Sequence, residues 1–126
     1  MTGVDRCRRD PREPITWRRW PWHQTSSCYA PHLLDVEITQ ALRRLVQLGD
    51  ITSARAQQAL DDHTAFGIDR HGHEDLLPRM WELRESISAY DAAYVALAEA
   101  LDAPLLTCDA KLARFHGHRA KIDLVK

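Results

Sequence analysis

The chain of 126 residues contains no apolar run near the ~18 residues that a membrane helix requires, and its opening residues lack the apolar core of a secretory signal. A membrane-spanning or secreted protein is therefore not expected, and the expected compartment is the cytoplasm. Cysteine is scarce. Cys7, Cys28 and Cys108 are odd in number and far apart, which argues against a disulfide framework, and Cys108 is expected as a small buried side chain alternating with Leu106. Charge of one sign is also lacking: 17 basic against 18 acidic residues leave a formal net charge of −1, which excludes a wholly basic nucleic-acid binder. No CxxC or HExxH spacing is present, so the triplets His71-Gly72-His73 and His116-Gly117-His118 read as turns before they read as zinc ligands. What is there suffices for one small domain, with 44% apolar residues to fill its core.

The composition is not uniform along the chain. Residues 1 to 28 hold three of the four tryptophans, three of the six prolines and six of the fourteen arginines, with almost no Leu, Val or Ala. Residues 29 to 126 are rich in those three. A break of this size inside so short a chain divides it into an aberrant or poorly ordered segment, 1–28, and a domain, 29–126. The segment Arg18-Arg19-Trp20-Pro21-Trp22 interleaves cations with ring surfaces, as single-strand nucleic-acid binders do.

Beyond the break, apolar spacing defines the elements. Leu34, Ile38, Ala41, Leu42, Leu45 and Leu48 recur at helical period from Leu34 to Leu48, where Gly49 closes the helix. Thr52 or Ser53 caps a second helix through Phe66, with Ala56, Ala59, Leu60 and His63 inward and Gly67 as its stop. Ile68-Asp69-Arg70 reads as a short strand. A helix from about His73 to Ile87 is expected to bury Leu76, Leu77, Met80, Trp81 and Leu83, with Pro78 tolerated only in its first turn. Ser88 opens an alanine-rich helix to about Leu101, with Tyr94, Leu97, Ala98 and Leu101 on one face. Pro104 to Cys108 reads as a strand running into Asp109, followed by a short helix from Ala110 to Phe115 and a last strand over Lys121 to Val125. Helices alternating with short strands predict an α/β sandwich with a mostly parallel sheet.

Three acids sit where this pattern turns inward. Glu37 lies three residues after Leu34 and four before Ala41, on the apolar face near its helix start. Asp91 precedes Tyr94 by one turn on the buried stripe, and Asp109 stands at a strand's carboxyl end, where sites in this fold class collect. Taken singly, each has a structural explanation: Ser88 and Asp91 form a capping box with Asp in the third position, and Asp109 caps the short helix. Three inward carboxylates with few cations on the same faces favour an acidic metal site instead, since a buried carboxylate is costly unless paired or metal-bound. Asp35 falls on another face and reads as a first-turn acid complementing the helix dipole.

At these positions the chain resembles the PIN-domain ribonucleases and, within them, the VapC toxins of bacterial toxin–antitoxin pairs. The matching pieces are Ala30-Pro31-His32-Leu33-Leu34-Asp35-Val36-Glu37 leading into Ala41-Leu42-Arg43-Arg44, then Ser88-Ala89-Tyr90-Asp91-Ala92-Ala93-Tyr94-Val95-Ala96-Leu97-Ala98-Glu99, then Leu105-Leu106-Thr107-Cys108-Asp109 with Leu112-Ala113. The resemblance implies a PIN-like three-layer α/β sandwich and a Mg²⁺-dependent endoribonuclease, with Mn²⁺ as the substitute ion. It implies an RNA substrate, a VapB-type antitoxin and a homodimer. Carried over by position, Glu37, Asp91 and Asp109 match three of the four acids with which that family holds its metal.

The fourth acid belongs at the end of an N-terminal strand, and here the chain departs from the pattern. Val4-Asp5 falls at about the right distance, so Asp5 is the weakest of the metal-ligand candidates, followed by an Arg- and Pro-rich stretch that offers neither strand nor amphipathic helix. The first strand is expected to be missing or degraded. Either residues 1–28 are a real basic, aromatic arm, or they derive from a displaced reading frame. The second reading is preferred, because a domain that needs a central strand has lost it where the composition changes. Two functions follow: a metal-dependent ribonuclease impaired by its altered N-terminus, or an inactive relative that retains dimerisation or antitoxin binding.

Overall fold

The structure is a computed structural model, and it describes residues 28–125. In order it contains β1 (Tyr29–Pro31), α1 (Leu33–Gln47), α2 (Ser53–Ala65), β2 (Asp69–His71), a 3₁₀ turn (Glu74–Leu76), α3 (Leu77–Glu82), α4 (Ala89–Leu101), β3 (Leu105–Thr107), α5 (Ala110–Arg114) and β4 (Ile122–Leu124). The alternation of helix and strand yields the α/β class that the spacing predicts. Both strand pairs are parallel: β1 with β2, in the register Tyr29 to Asp69, and β3 with β4, in the register Leu105 to Ile122. Among the described residues these are two separate two-stranded sheets. The expected loss of a first strand, Asp5 and residues 1–27 of the arm fall outside the described residues.

Local chemistry sets the element ends. Thr52 and Ser88 stand in extended backbone and accept the backbone N–H of Arg55 and Asp91, which satisfies donors that the first turns of α2 and α4 leave open. After α2 the chain reverses at Gly67, whose φ of +77° a side chain would strain. Asp102 ends α4 in the left-handed region at φ 49°, the single non-glycine residue with positive φ among those described.

The core forms around α4. Ala92 to Ala98 are all buried, so this helix is enclosed on every side, where the sequence pattern predicts one inward face. It packs on β1, β3 and α3, and its small alanines allow that close approach. Leu34, Ile68, Leu83, Val95, Leu105 and Leu112 complete the main cluster. A domain's apolar interior of this kind contributes about 1.5–3 kcal/mol for each large side chain it removes from water.

Several expectations fail in instructive places. The single helix over His73 to Ile87 is a 3₁₀ turn followed by a six-residue helix. Leu76 and Leu83 are buried there and Met80 is partly so, on one face at spacings of four and three, whereas Leu77 and Trp81 point to solvent, Trp81 with 68% of its surface exposed. The predicted stripe was one residue column too wide. On α1 the apolar stripe is buried only at its start: Leu34 is inaccessible, while Leu45 and Leu48 are exposed. Cys108 is exposed and disulfide-bonded, and Thr107 takes the buried position beside it.

Candidate functional site

Asp91 and Asp109 come together at the junction of α4 with the β3–α5 turn. Asp91 is the third residue of α4, with its backbone N–H bonded to the Ser88 hydroxyl at 3.2 Å. Asp109 leaves β3 and caps α5, with Oδ1 accepting from the backbone N–H of Lys111 at 2.8 Å and of Leu112 at 3.4 Å. Its own N–H donates to the hydroxyl of the fully buried Thr107 at 3.0 Å. Asp109 thus plays the capping part that sequence alone assigns it, whereas at the head of α4 the cap is the Ser88 hydroxyl and the Asp91 carboxylate does not complete the expected capping box. Capping does not exhaust Asp109, because it still uses only one oxygen.

The electrostatics separate this pair from ordinary caps. Partial burial raises the Asp91 carboxyl above the usual aspartate value, and the neighbouring negative charge of Asp109 raises it further, against smaller opposing influences from a positive charge and from a hydrogen bond with Ser88. No Lys, Arg or His among the described residues forms an ion pair with Asp91, Asp109 or Glu37. A partly desolvated aspartate beside a second carboxylate, with no ion-pair partner among the described residues, is an arrangement that a bound cation relieves.

Glu37 reaches the same helix by another route. It lies on α1, one turn in from the start, and its Oε1 accepts a hydrogen bond from the hydroxyl of Tyr94. Tyr94 is buried and stands three residues after Asp91, hence on the same side of α4. Among the described residues no group of three His, Cys, Asp or Glu side chains is assembled tightly enough to cage an ion by itself. Asp91 and Asp109 are therefore the joined pair, and Glu37 is tied to their helix through a tyrosine. Asp5 lies outside the described residues.

Sequence reasoning missed Tyr94, which reads there only as a core residue. It also missed the role of Asp35. This acid is held by Nε of Arg70 at 2.7 Å and by Nε2 of His63 at 2.7 Å, which ties α1 to α2 and β2. The Arg70 hydrogen bond is the largest of the influences that keep its carboxyl below the usual aspartate value. The histidine triplets serve turns: Nε2 of His73 accepts the N–H of Leu33 at the head of α1, and Nε2 of His118 bonds the Phe115 carbonyl at 2.7 Å. Arg43 and Arg44 are exposed on α1.

A PIN domain family model matches residues 9–117. The chain belongs to the PIN domain family. It is 46% identical over 98 residues to Ribonuclease VapC1 of Mycobacterium tuberculosis, covering 77% of this chain and 74% of that one. It is 44% identical over 84 residues to Ribonuclease VapC9 of the same organism, covering 67% and 66%, and 37% identical over 97 residues to Ribonuclease VapC12, covering 77% and 75%. In this PIN domain the donor set at the α4 and β3 ends is oxygen only, the chemistry suited to a hard divalent ion such as Mg²⁺. No helix among the described residues is long and apolar enough to cross a membrane.

Proposed function

We propose that this PIN domain, residues 29–126, is a VapC-type toxin that hydrolyses RNA phosphodiester bonds with Mg²⁺, or with Mn²⁺ in its place, acts in the cytoplasm as a homodimer, and is neutralised by a VapB-type antitoxin. One observation carries the metal chemistry: Asp91 and Asp109, brought side by side by a buried helix and a strand end, share no cation of the described residues. Similarity to proteins named as ribonucleases supports the substrate class. The exposed Leu45 on α1 and Leu48 at its C-terminal cap give a homodimer or an antitoxin an apolar surface.

Asp91 and Asp109 would hold the ion directly, and Glu37 would join through its water shell or as a further ligand. When held by these acids, Mg²⁺ would supply charge neutralisation to a phosphate substrate and a more acidic water. Ser88 orients the Asp91 turn, and Thr107 orients Asp109 through its backbone N–H. Asp109 keeps one oxygen outside its cap for the ion. Arg43 and Arg44, exposed on the helix that carries Glu37, would touch the RNA backbone without reading bases.

We further infer that the 126-residue form cleaves weakly, because Asp5 alone stands for the fourth acid that the family pattern requires. The inactive-relative reading keeps one observation in its favour, the lack of a three-acid group among the described residues. The test is cleavage of single-stranded RNA by the full chain, and by a variant carrying an apolar strand ending in Val-Asp ahead of residue 28, with and without chelator. Faster, chelator-sensitive cleavage by the second protein, abolished by Asp91→Asn or Asp109→Asn, is the expected result. Cleavage that survives both substitutions would remove these acids from the reaction. A silent restored chain that still dimerises would establish the inactive reading.

A further inference from the structure

The hydroxyl of Tyr94 is placed more narrowly than core packing requires. Tyr94 is only 4% exposed, so its ring is part of the interior and its O–H has to find an acceptor there. The acceptor is Oε1 of Glu37, 57 residues away in sequence and on a different helix. A carboxylate that is half-buried needs a donor or a cation, and among the described residues Glu37 makes no other hydrogen bond or ion pair. Phenylalanine would fill the same volume in the main core cluster. What the hydroxyl adds is an address for one oxygen of Glu37.

We propose that Tyr94 is a positioning residue of the metal site: its hydroxyl occupies Oε1 of Glu37 and so presents Oε2 to the water shell of an ion held by Asp91 and Asp109. This rests on the metal reading above. Asp91 and Tyr94 are one turn apart on a helix enclosed along seven consecutive residues, so the turn that sets one acid also sets the donor for another. Such a coupling would let an acid on α1 act with a pair at the head of α4 and the end of β3, although no three-acid cage is built by the described side chains alone. Glu37 then contributes through a single oxygen, and its reach is decided by the tyrosine.

The test is a Mn²⁺ titration of the full chain, with the free ion read by electron paramagnetic resonance, on the parent, Tyr94→Phe, Glu37→Gln and the double variant. Heat unfolding without metal is measured on the same four proteins. Loss of a group that orients a ligand typically costs ~10- to 100-fold in metal affinity, so Tyr94→Phe should bind Mn²⁺ about 10-fold more weakly. In the Glu37→Gln background the same substitution should cost nothing further. A role in packing alone predicts unchanged Mn²⁺ affinity, or an equal drop in both backgrounds, and either result overturns the proposal. Glu37→Asp, which keeps the charge and withdraws it from the hydroxyl, should weaken binding as Tyr94→Phe does; parent-like affinity in that variant also overturns it. A parent that binds no Mn²⁺ overturns the metal reading itself, whereas a binding parent that Tyr94→Phe leaves unaltered overturns only the role of Tyr94.

Discussion

Two sets of acids in this domain are treated in opposite ways. Glu99 is nearly inaccessible, its side chain 3% exposed, and Arg79 grips both its oxygens at 2.9 and 3.2 Å while Arg119 stands 3.6 Å away. Asp35 is likewise closed by Arg70 and His63. Asp91 and Asp109, by contrast, have no ion-pair partner among the described residues, the charge of Asp109 acts on Asp91, and burial makes the charge on Asp91 costly. Where a carboxylate serves the fold, the chain has placed a guanidinium against it. Where carboxylates at the ends of a buried helix and a strand have no ion-pair partner among the described residues, the raised Asp91 carboxyl is what supports the proposed site.

The comparison can be broken first at Arg79. Arg79→Met would strand Glu99 as a buried charge with only the more distant Arg119 beside it. A loss of about 3 kcal/mol is expected, the low end of the cost of opening a buried pair. Urea unfolding measures it, and a loss below half of that would mean that Glu99 is satisfied by other means.

At the other pole Asp91→Asn should act with the opposite sign on the fold. The folded carboxyl of Asp91 titrates above its unfolded value, so the folded state binds the proton more tightly. Its ionisation therefore costs stability as pH rises from the unfolded value through the raised one, and that cost is fully present at neutral pH. Without metal, Asp91→Asn should raise the melting temperature at pH 7, and the gain should fade as pH falls through that window. The same variant should lose ~10- to 100-fold or more in metal affinity. A drop in melting temperature at neutral pH would show that Asp91 stabilises the fold as a cap and carries no stored cost.

Asp35→Asn comes next. The folded carboxyl is held below its unfolded value, so its contribution is present above the unfolded value and is lost as pH falls through the lowered one. The side chain is 40% exposed, so the expected cost at pH 7 is about 1 kcal/mol after allowance for solvent screening. The difference between variant and parent should close in acid; a difference independent of pH would mean that packing, not charge, is being lost. The smallest effect is expected at Trp81→Ala. This exposed ring lies 4.5 Å from the Arg84 guanidinium, and its removal should change stability by no more than ~0.5 kcal/mol.

Much of the fold is legible along the chain because its signals are local. Thr52, Ser88, Gly67 and Asp109 mark element ends by capping chemistry that depends on a few neighbouring residues. All four fall where the sequence predicts. Trp81 and Leu77 were misplaced because periodicity gives a direction around a helix axis and not the width of the surface that a neighbour will cover. The enclosure of α4 was missed for the same reason: its alanines read as one moderately apolar face, yet β1, β3 and α3 close around it.

By itself, the sequence determined the order of helices and parallel strands and the family pattern in which Glu37, Asp91 and Asp109 stand. Each of these depends on residue type and spacing within a short window or on matched strings. The tertiary structure alone decided which acid meets which partner: Asp91 beside Asp109, Glu37 under the hydroxyl of Tyr94, Asp35 closed by Arg70 and His63, and Glu99 held by Arg79. Those contacts join residues up to 57 positions apart. They depend on how helices pack, and no local period along the chain encodes the distance between two packed elements.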